Sequence, residues 1–329
     1  MKVLVAGGAG YIGSHMVAEL LDSGYEVVVF DNLSKGHREA VLGGEFVEGN
    51  LLDQNKLDET FKKYKIDAVM HFAADSLVGE SMTKPDKYFR NNVVGGLNLL
   101  DAMMKYEVKK FIFSSTAAIF GEPDKIPIEE NNTKLPTNTY GESKLAFEKI
   151  LRWYDHAFGL KYVCLRYFNA AGAHKTGKIG EDHNPESHLI PIVLQVALGK
   201  REQIDIFGDD YKTEDGTCVR DYIHITDLAQ AHILGLKKIS VDNAQSTQYN
   251  LGHGQGLSVK QIIKVSEEVT GKKIKVKIAP RRAGDPATLI ASSVKIKKEL
   301  NWKPQFEDIH KIIDSAWQWH KNHPNGYSK

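Results

Sequence analysis

Tyr140 and Lys144 are spaced Tyr-x-x-x-Lys and follow Thr116 by 24 residues. On a helix, positions i and i+4 share one face, with Cβ atoms roughly 5–6 Å apart. An ammonium that close favours the ionised form of a phenol, whose reference pKa is about 10. The tyrosine then becomes a usable base near neutral pH, and the Thr116 hydroxyl can hydrogen-bond the same substrate oxygen. With a glycine-rich nucleotide loop at the N-terminus, the set describes a way of moving hydride on and off a secondary alcohol.

The elements that must position these residues follow a βα rhythm. Apolar runs predict strands over Lys2–Ala6, Glu26–Phe30, Glu45–Glu48, Ala68–Phe72, Lys110–Ser114 and Tyr162–Arg166. Amphipathic stretches predict helices over Tyr11–Asp22, Gln54–Tyr64, Lys87–Tyr106 and Gly141–Phe158. Strands that are continuously apolar imply a parallel sheet covered on both faces, and the βαβαβ order implies a doubly wound fold. After Asn169 the rhythm breaks. Ala170–His188 is rich in glycine, histidine and asparagine and reads as a binding loop, followed by helical patterns at Leu189–Gly199, Thr226–Lys238, Ser258–Thr270 and Phe306–His320.

Gly7, Gly10 and Gly13 punctuate the turn from the first strand to the first helix, the arrangement that lets backbone amides and a helix dipole approach a pyrophosphate. Asp31 ends the second strand about 20 residues on, where a carboxylate accepts both ribose hydroxyls and repels a 2′-phosphate. NAD is therefore expected rather than NADP. Asn50 and Leu51 are placed to flank the adenine, and Phe72, Ala73 and Ala74 to face the middle of the cofactor.

The rest of the composition mainly excludes. The 329 residues suggest about two domains. The charges nearly cancel, 43 basic against 42 acidic, so neither nucleic acid nor an anionic membrane is expected as a partner. No apolar run reaches the ~18 residues a membrane span needs. Two cysteines, Cys164 and Cys218, make neither a metal motif nor a disulfide framework. A cytoplasmic protein fits these features.

Taken with Asp31-Asn32-Leu33, the glycine loop and Tyr-x-x-x-Lys resemble the extended short-chain dehydrogenase/reductase superfamily. Arg166-Tyr-Phe-Asn-Ala-Ala-Gly-Ala173, Ile206-Phe-Gly208, Thr213-Glu-Asp-Gly-Thr217, Arg220-Asp-Tyr-Ile-His224 and Pro280-Arg-Arg-Ala-Gly-Asp285 closely resemble its UDP-glucose 4-epimerase family, and the similarity covers essentially the whole chain. The resemblance implies a Rossmann-type doubly wound parallel sheet with a smaller mixed α/β substrate-binding lobe. Residues 1–168 would form the NAD-binding domain, with 222–250 packing back onto it, and 169–221 with 251–329 the UDP-sugar lobe. It implies Tyr140 as base, Thr116 as hydrogen-bond partner of the reacting oxygen, and Lys144 as holder of the nicotinamide ribose. Tyr11, Ile12, Asn32, Asn91, Ser114 and Tyr167 would join the cofactor site. Phe168, Asn169, His188, Leu189, Phe207, Arg220, Arg282, Asp285 and Leu289 would hold the UDP-sugar. It also implies a homodimer joined through Lys87–Tyr106 and Gly141–Phe158.

The sequence departs from the family pattern at a few positions. Ser76 stands where many members carry a lysine, removing a cation near the nicotinamide. Asn50 replaces a frequent aspartate and can still accept a hydrogen bond from the adenine amine. His188 replaces an asparagine and can donate to a phosphate. Leu289 stands where some members have tyrosine, leaving room for a 2-acetamido group.

A nucleotide-sugar 4,6-dehydratase would need an acidic pair after the threonine, whereas Ala117-Ala118 follow Thr116. A 4-ketoreductase usually favours NADP, which Asp31 disfavours. A non-catalytic sensor would have no need of both Tyr140 and Lys144. His174, His183 and His188 share one loop, but no HExxH or cysteine pair frames them, so no metal site is expected.

Overall fold

The computed structural model describes residues 1–282 and 285–327. Its N-terminal half alternates β1 (Lys2–Ala6), α1 (Tyr11–Asp22), β2 (Glu26–Asp31), β3 (Glu45–Glu48), α2 (Gln54–Tyr64) and β4 (Ala68–His71). Short helices α3 (Val78–Ser81) and α4 (Pro85–Tyr88) lead through a π-helical turn, Phe89–Val94, into α5 (Gly95–Lys105). Then come β5 (Lys110–Thr116), α6 (Thr139–Phe158), β6 (Lys161–Tyr167) and the short β7 (Asn169–Ala171). The helix expected over Lys87–Tyr106 is thus interrupted by an i→i+5 turn, which apolar periodicity does not register and which is frequent at functional sites.

The remaining elements are α7 (Leu189–Ala197), β8 (Ile204–Phe207), β9 (Val219–His224), α8 (Ile225–Lys238), β10 (Thr247–Leu251), β11 (Gly256–Ser258), α9 (Val259–Thr270), β12 (Val276–Ala279), β13 (Thr288–Leu289), α10 (Val294–Leu300) and α11 (Ile309–Asn322). Seven parallel strands order as β10-β6-β5-β4-β1-β2-β3. Side chains of one strand divide between the two faces, because the strand period is two. Val3 and Val5 pack with Met16, Val17 and Leu20 of α1 and Leu228 and Leu236 of α8. Leu4 and Ala6 pack on the opposite face with Phe61 of α2, Leu99 of α5, and Phe147 and Leu151 of α6. Burial on both sides explains the unbroken apolar runs.

The chain reverses its winding between β1 and β4, and the carboxyl ends of those strands open the crevice in which doubly wound sheets bind ligands. A second lobe packs α7, α9 and α11 around Leu194, Ile262, Ile313 and Trp317. It holds β9 between β11 and β13, with β7 also pairing β9 and β8 pairing β12. The fully buried carboxylate of Asp221 on β9 accepts the amides of His253, Gly254 and Ala291 at 2.8–3.0 Å, tying two loops to that strand. Burial raises its pKa to about 6 despite those three donors.

Four histidines, His15, His71, His224 and His232, are at most 1% exposed. Burial lowers them to about 4, 3, 3 and 4 respectively. They are neutral in the fold, whereas the unfolded chain protonates them near 6.5. Their contribution is therefore complete above pH ~6.5 and falls as pH drops toward ~4, by up to about 1.4 kcal/mol per group per pH unit. Melting temperature measured from pH 7 to pH 5 is expected to fall steeply, and a flat profile would contradict this.

Candidate active site

The glycines of the first turn do different jobs. A Cβ on Gly7 would meet the Ala73 nitrogen at 2.4 Å, and one on Gly13 would meet the Gly7 oxygen at 2.0 Å, so both are fixed by packing of strand, turn and helix. A Cβ on Gly10 would meet only ordinary contact at 3.5 Å. Packing within the chain therefore does not require glycine at position 10. Gly10 is the N-cap of α1 and supplies no side-chain cap to the first-turn amides, which Tyr11, Ile12 and Gly13 contribute. An anion placed there meets free N–H groups and the positive end of the helix.

Asp31 closes β2 beside this turn. One oxygen accepts the Ala9 amide at 2.9 Å and the other the Leu33 amide at 2.8 Å. Burial raises its pKa against these bonds. Each carboxylate oxygen keeps a second lone pair for a ribose hydroxyl. Asn32 is exposed beside it, and Leu51 is buried. Asn50 spends one lone pair of its amide oxygen on the Leu52 amide at 2.9 Å, leaving one for an adenine amine. At the end of β4, Phe72 stacks near His232 at 5.0 Å between ring centroids, and Ala73 donates its amide to Ala6. Ala74 follows, partly exposed at the crevice.

The reacting group stands where β5 meets α6. Asn138 caps α6 by accepting the Gly141 amide at 2.8 Å, which places Tyr140 in the first turn. Thr116, last in β5, accepts the Ala118 amide at 3.1 Å and lies beside the Tyr140 phenol. Lys144 is 3% exposed and donates to the Ser114 carbonyl at 2.9 Å. Burial lowers its pKa to about 7, although Glu148 opposes the shift. Its ammonium lies 6.0 Å from the centroid of the Tyr140 ring. Burial raises the Tyr140 pKa, with Thr116 pulling the other way.

Beneath the pair sits a buried network that the spacing of motifs did not reveal. Glu148, one turn beyond Lys144, accepts from Arg166 Nε at 2.9 Å and from its terminal nitrogen at 2.6 Å, and from the Ser115 hydroxyl at 2.6 Å. Arg166 also donates to the Glu130 carbonyl at 3.1 Å. Asn92, in the π-turn, accepts the Asp75 amide at 2.9 Å and donates to the Ser143 hydroxyl at 3.0 Å, joining the cofactor-side loop to α6. Asn91 spends a donor on Asn92 at 3.1 Å, and Tyr167 is hydrogen-bonded to Ser114. Tyr11 points its hydroxyl away from the crevice to the Gly172 carbonyl at 2.7 Å, so only its backbone remains toward the first turn. Ser76 is exposed, and Lys87 of α4 is engaged by Asp75 at 3.1 Å and Glu80 at 2.9 Å.

Across the crevice, Asn169 donates to the Asp221 carbonyl at 3.1 Å. Arg220 is paired with Asp285, so two groups expected at separate parts of a ligand touch each other. The Arg282 guanidinium lies 3.8 Å over the Phe207 ring. Phe168 and Leu289 pack on one small cluster with Ile119, Phe120 and Leu145. Leu189 opens α7. His188 turns its Nδ1 to Glu181 at 2.6 Å, where Glu181 and Glu186 outweigh burial and raise its pKa. The three loop histidines separate: His174 lies near Glu19, whereas His183 and His188 join Glu181 and Glu186 in one cluster.

A phenol beside a hydroxyl-bearing threonine, at the mouth of a dinucleotide crevice, is the working part of a short-chain dehydrogenase/reductase. The model of the NAD dependent epimerase/dehydratase family matches residues 3–252, and the chain belongs to that family. A UDP-glucose 4-epimerase of Halalkalibacterium halodurans is 57% identical over 328 residues, covering 100% of this chain and 98% of its own. The crystal structure of UDP-glucose 4-epimerase from Bifidobacterium longum in complex with NAD+ and UDP superposes with a TM-score of 0.95 at 40% identity, over 99% of this chain and 100% of its own. The UDP-Glc/GlcNAc 4-epimerase from Campylobacter jejuni gives a TM-score of 0.85 at 42% identity, over 98% and 99%.

Removing one partner of the Glu148–Arg166 pair strands a buried charge. Glu148→Gln is expected to cost about 3–5 kcal/mol in urea unfolding, with much of it recovered in a Glu148→Met, Arg166→Met double substitution. A loss below about 1 kcal/mol would place the pair among weak surface interactions.

Proposed function

We propose that the chain interconverts UDP-glucose and UDP-galactose by inverting C4, with NAD retained through the cycle. The observation that carries this is Tyr140 beside Thr116 at the end of β5, followed by Ala117 and Ala118, which offer no proton carrier for eliminating water. The glycine turn fits a dinucleotide, since Gly10 leaves uncapped amides for a pyrophosphate and Asp31 retains lone pairs for the adenosine ribose. Held at the Gly10 turn and Asp31, NAD would supply a reversible acceptor for the C4 hydride, which a 4-keto sugar turned about its diphosphate bond could take back on its other face. Tyr140 takes the proton of the 4-hydroxyl and gives it back. Thr116 donates to the same oxygen. Lys144 would hold the nicotinamide ribose from its seat on the Ser114 carbonyl, and the burial around it would keep water from the reacting carbon.

The second lobe grips the nucleotide and leaves the hexose loose enough to turn. Arg220 and Arg282 suit a diphosphate because a guanidinium donates two parallel hydrogen bonds. Asn169 and His188 serve the same end of the ligand. Phe207, with Arg282 stacked on it, lines the uracil, Leu189 closes that pocket, and Asp285 keeps an oxygen for the uridine ribose. In this division residues 1–168 and 222–250 hold NAD, and 169–221 and 251–329 hold the UDP-sugar. Binding energy from the remote nucleotide then positions C4. Leu289 beside Phe168 leaves space for a 2-acetamido group, so UDP-N-acetylhexosamines are second substrates.

A homodimer through the α5 and α6 side of the cofactor domain is supported by the exposed Phe89, Val94, Trp153 and Phe158 along those segments. A cytoplasmic location is supported by Cys164 and Cys218, both buried and free. No helix of the described residues is long and apolar enough to cross a membrane. Light scattering is expected to give twice the chain mass and cell fractionation to find the protein in the soluble cytoplasmic fraction; a monomer would remove the dimer.

Purified protein with no added NAD is expected to convert UDP-galactose to UDP-glucose without net NADH, and Tyr140→Phe to lower the rate at least ~10³-fold with UDP binding kept. UDP-N-acetylgalactosamine should also turn over, and Leu289→Tyr should suppress it selectively. No product with or without NAD would overturn the epimerase reading, and equal loss for both sugars would overturn the role of Leu289.

A further inference from the structure

The loop between β7 and α7 brings together four side chains that the reaction does not use as a group. Glu181, His183, Glu186 and His188 each offer one ligand atom, and these atoms all lie within 4.8 Å of one another. His183 Nδ1 is 3.3 Å from Glu181 and 3.6 Å from Glu186, and His188 Nδ1 is 2.6 Å from Glu181 and 3.5 Å from Glu186. The His188–Glu181 contact is a close ion pair, and the other three are long. Glu181 is only 4% exposed, yet its Oε1 makes no aligned hydrogen bond, and neither does the buried Nδ1 of His183.

Ligands at 2.0–2.2 Å from a tetrahedral centre are separated by roughly 3.3–3.5 Å along each edge. His183 stands 3.3 Å from Glu181 and 3.6 Å from one oxygen of Glu186, His188 stands 3.5 Å from the other Glu186 oxygen, and the 2.6 Å between His188 and Glu181 opens by less than an ångström to reach that edge. Two imidazoles with two carboxylates suit zinc better than the all-oxygen sites of magnesium or calcium. Glu181 and Glu186 favour the protonated histidines in the empty cluster, so a dication displaces those two protons and its charge is balanced by the two carboxylates. The remaining features of a built site are present too. Glu186 is oriented by the Ser187 and His188 amides, which it accepts at 2.7 and 2.8 Å. The Tyr11 ring meets His183 edge-on at 6.1 Å between centroids. A cavity of about 190 Å³ reaches Glu181, His183 and Glu186 past Trp319, His320 and His323, giving an entry path.

We propose that Glu181, His183, Glu186 and His188 form a tetrahedral structural zinc site. The segment they close is wedged between the cofactor domain and the C-terminus: His37 contacts the Asp182 carbonyl at 3.0 Å, Lys35 donates to the Asn184 carbonyl at 3.0 Å, and the Tyr327 amide donates to Asp182 at 3.0 Å. The metal fixes this wedge. Ligation through Nδ1 also sets the His188 tautomer, leaving Nε2–H as a donor at the head of α7.

The test uses the full-length protein carrying its cofactor, stripped with a chelator and then offered Zn²⁺ or Co²⁺ alone. Elemental analysis after desalting is expected to find one zinc per chain. Co²⁺ should give the visible bands of a tetrahedral centre, which Zn²⁺ then displaces. At about 100-fold excess over its Kd, Zn²⁺ should raise the melting temperature by about 4 °C. His183→Gln and Glu181→Gln should each abolish stoichiometric uptake and the melting shift. The proposal is overturned if desalted protein retains no zinc, if Co²⁺ shows only the octahedral aquo spectrum, or if either variant binds as the parent does. These readouts do not depend on turnover.

Discussion

One face of α6 holds the chemistry to the sheet. Tyr140, Lys144 and Glu148 are spaced at i, i+4 and i+8, and each meets a different one of the last three residues of β5. Tyr140 neighbours Thr116, Lys144 donates to the Ser114 carbonyl, and Glu148 accepts from Ser115. The innermost rung is reinforced from β6 by Arg166. Because β5 and β6 run parallel in register from Lys110↔Lys161 to Thr116↔Tyr167, the ion pair fixes helix and strands as one block. A phenol on such a block has little freedom to wander, and geometric precision of this kind is what general base catalysis requires. The charged pair is costly to bury and expensive to break, so its worth here lies in placing Tyr140.

The same block faces a crevice whose two sides are built on different rules. On the nucleotide side, Gly7 and Gly13 are forced by backbone contacts below 3 Å, so the turn is rigid before any ligand arrives. On the sugar side, contacts pass through long polar side chains, Arg220 with Asp285 and Arg282 over Phe207. Rigid backbone for the cofactor and exchangeable side chains for the nucleotide sugar match a reaction in which one partner stays and the other must turn over.

The nucleotide half was legible because its signals are local. Strand burial on both faces writes itself as unbroken apolar runs, and a glycine turn followed by Asp31 has one structural meaning at that spacing. What escaped the sequence needed contacts between distant residues. Arg166, at the end of an apolar strand, gave no hint of Glu148 as partner, and Asp221 gave none of the loops it anchors. The seventh strand, Thr247–Leu251, is short and partly polar, and it is a strand only because β6 offers an edge. The π-turn at Phe89–Val94 hid inside a helical pattern since it shifts the register without changing composition. Glu181, His183, Glu186 and His188 have no helical or strand period, so their convergence is a property of the folded loop. Tyr140 and Lys144 were found by spacing, but the burial that raises the one pKa and lowers the other was visible only in the packed site.

The central claim is that hydride leaves C4 and returns to the same carbon without entering solvent. UDP-galactose carrying deuterium at C4 tests it most directly, with the reaction run in ordinary water and the product read by mass spectrometry and NMR. The account requires UDP-glucose with deuterium still at C4. Product carrying hydrogen at C4 would mean that the proton or hydride is exchanged with the medium, and would contradict the mechanism at its core.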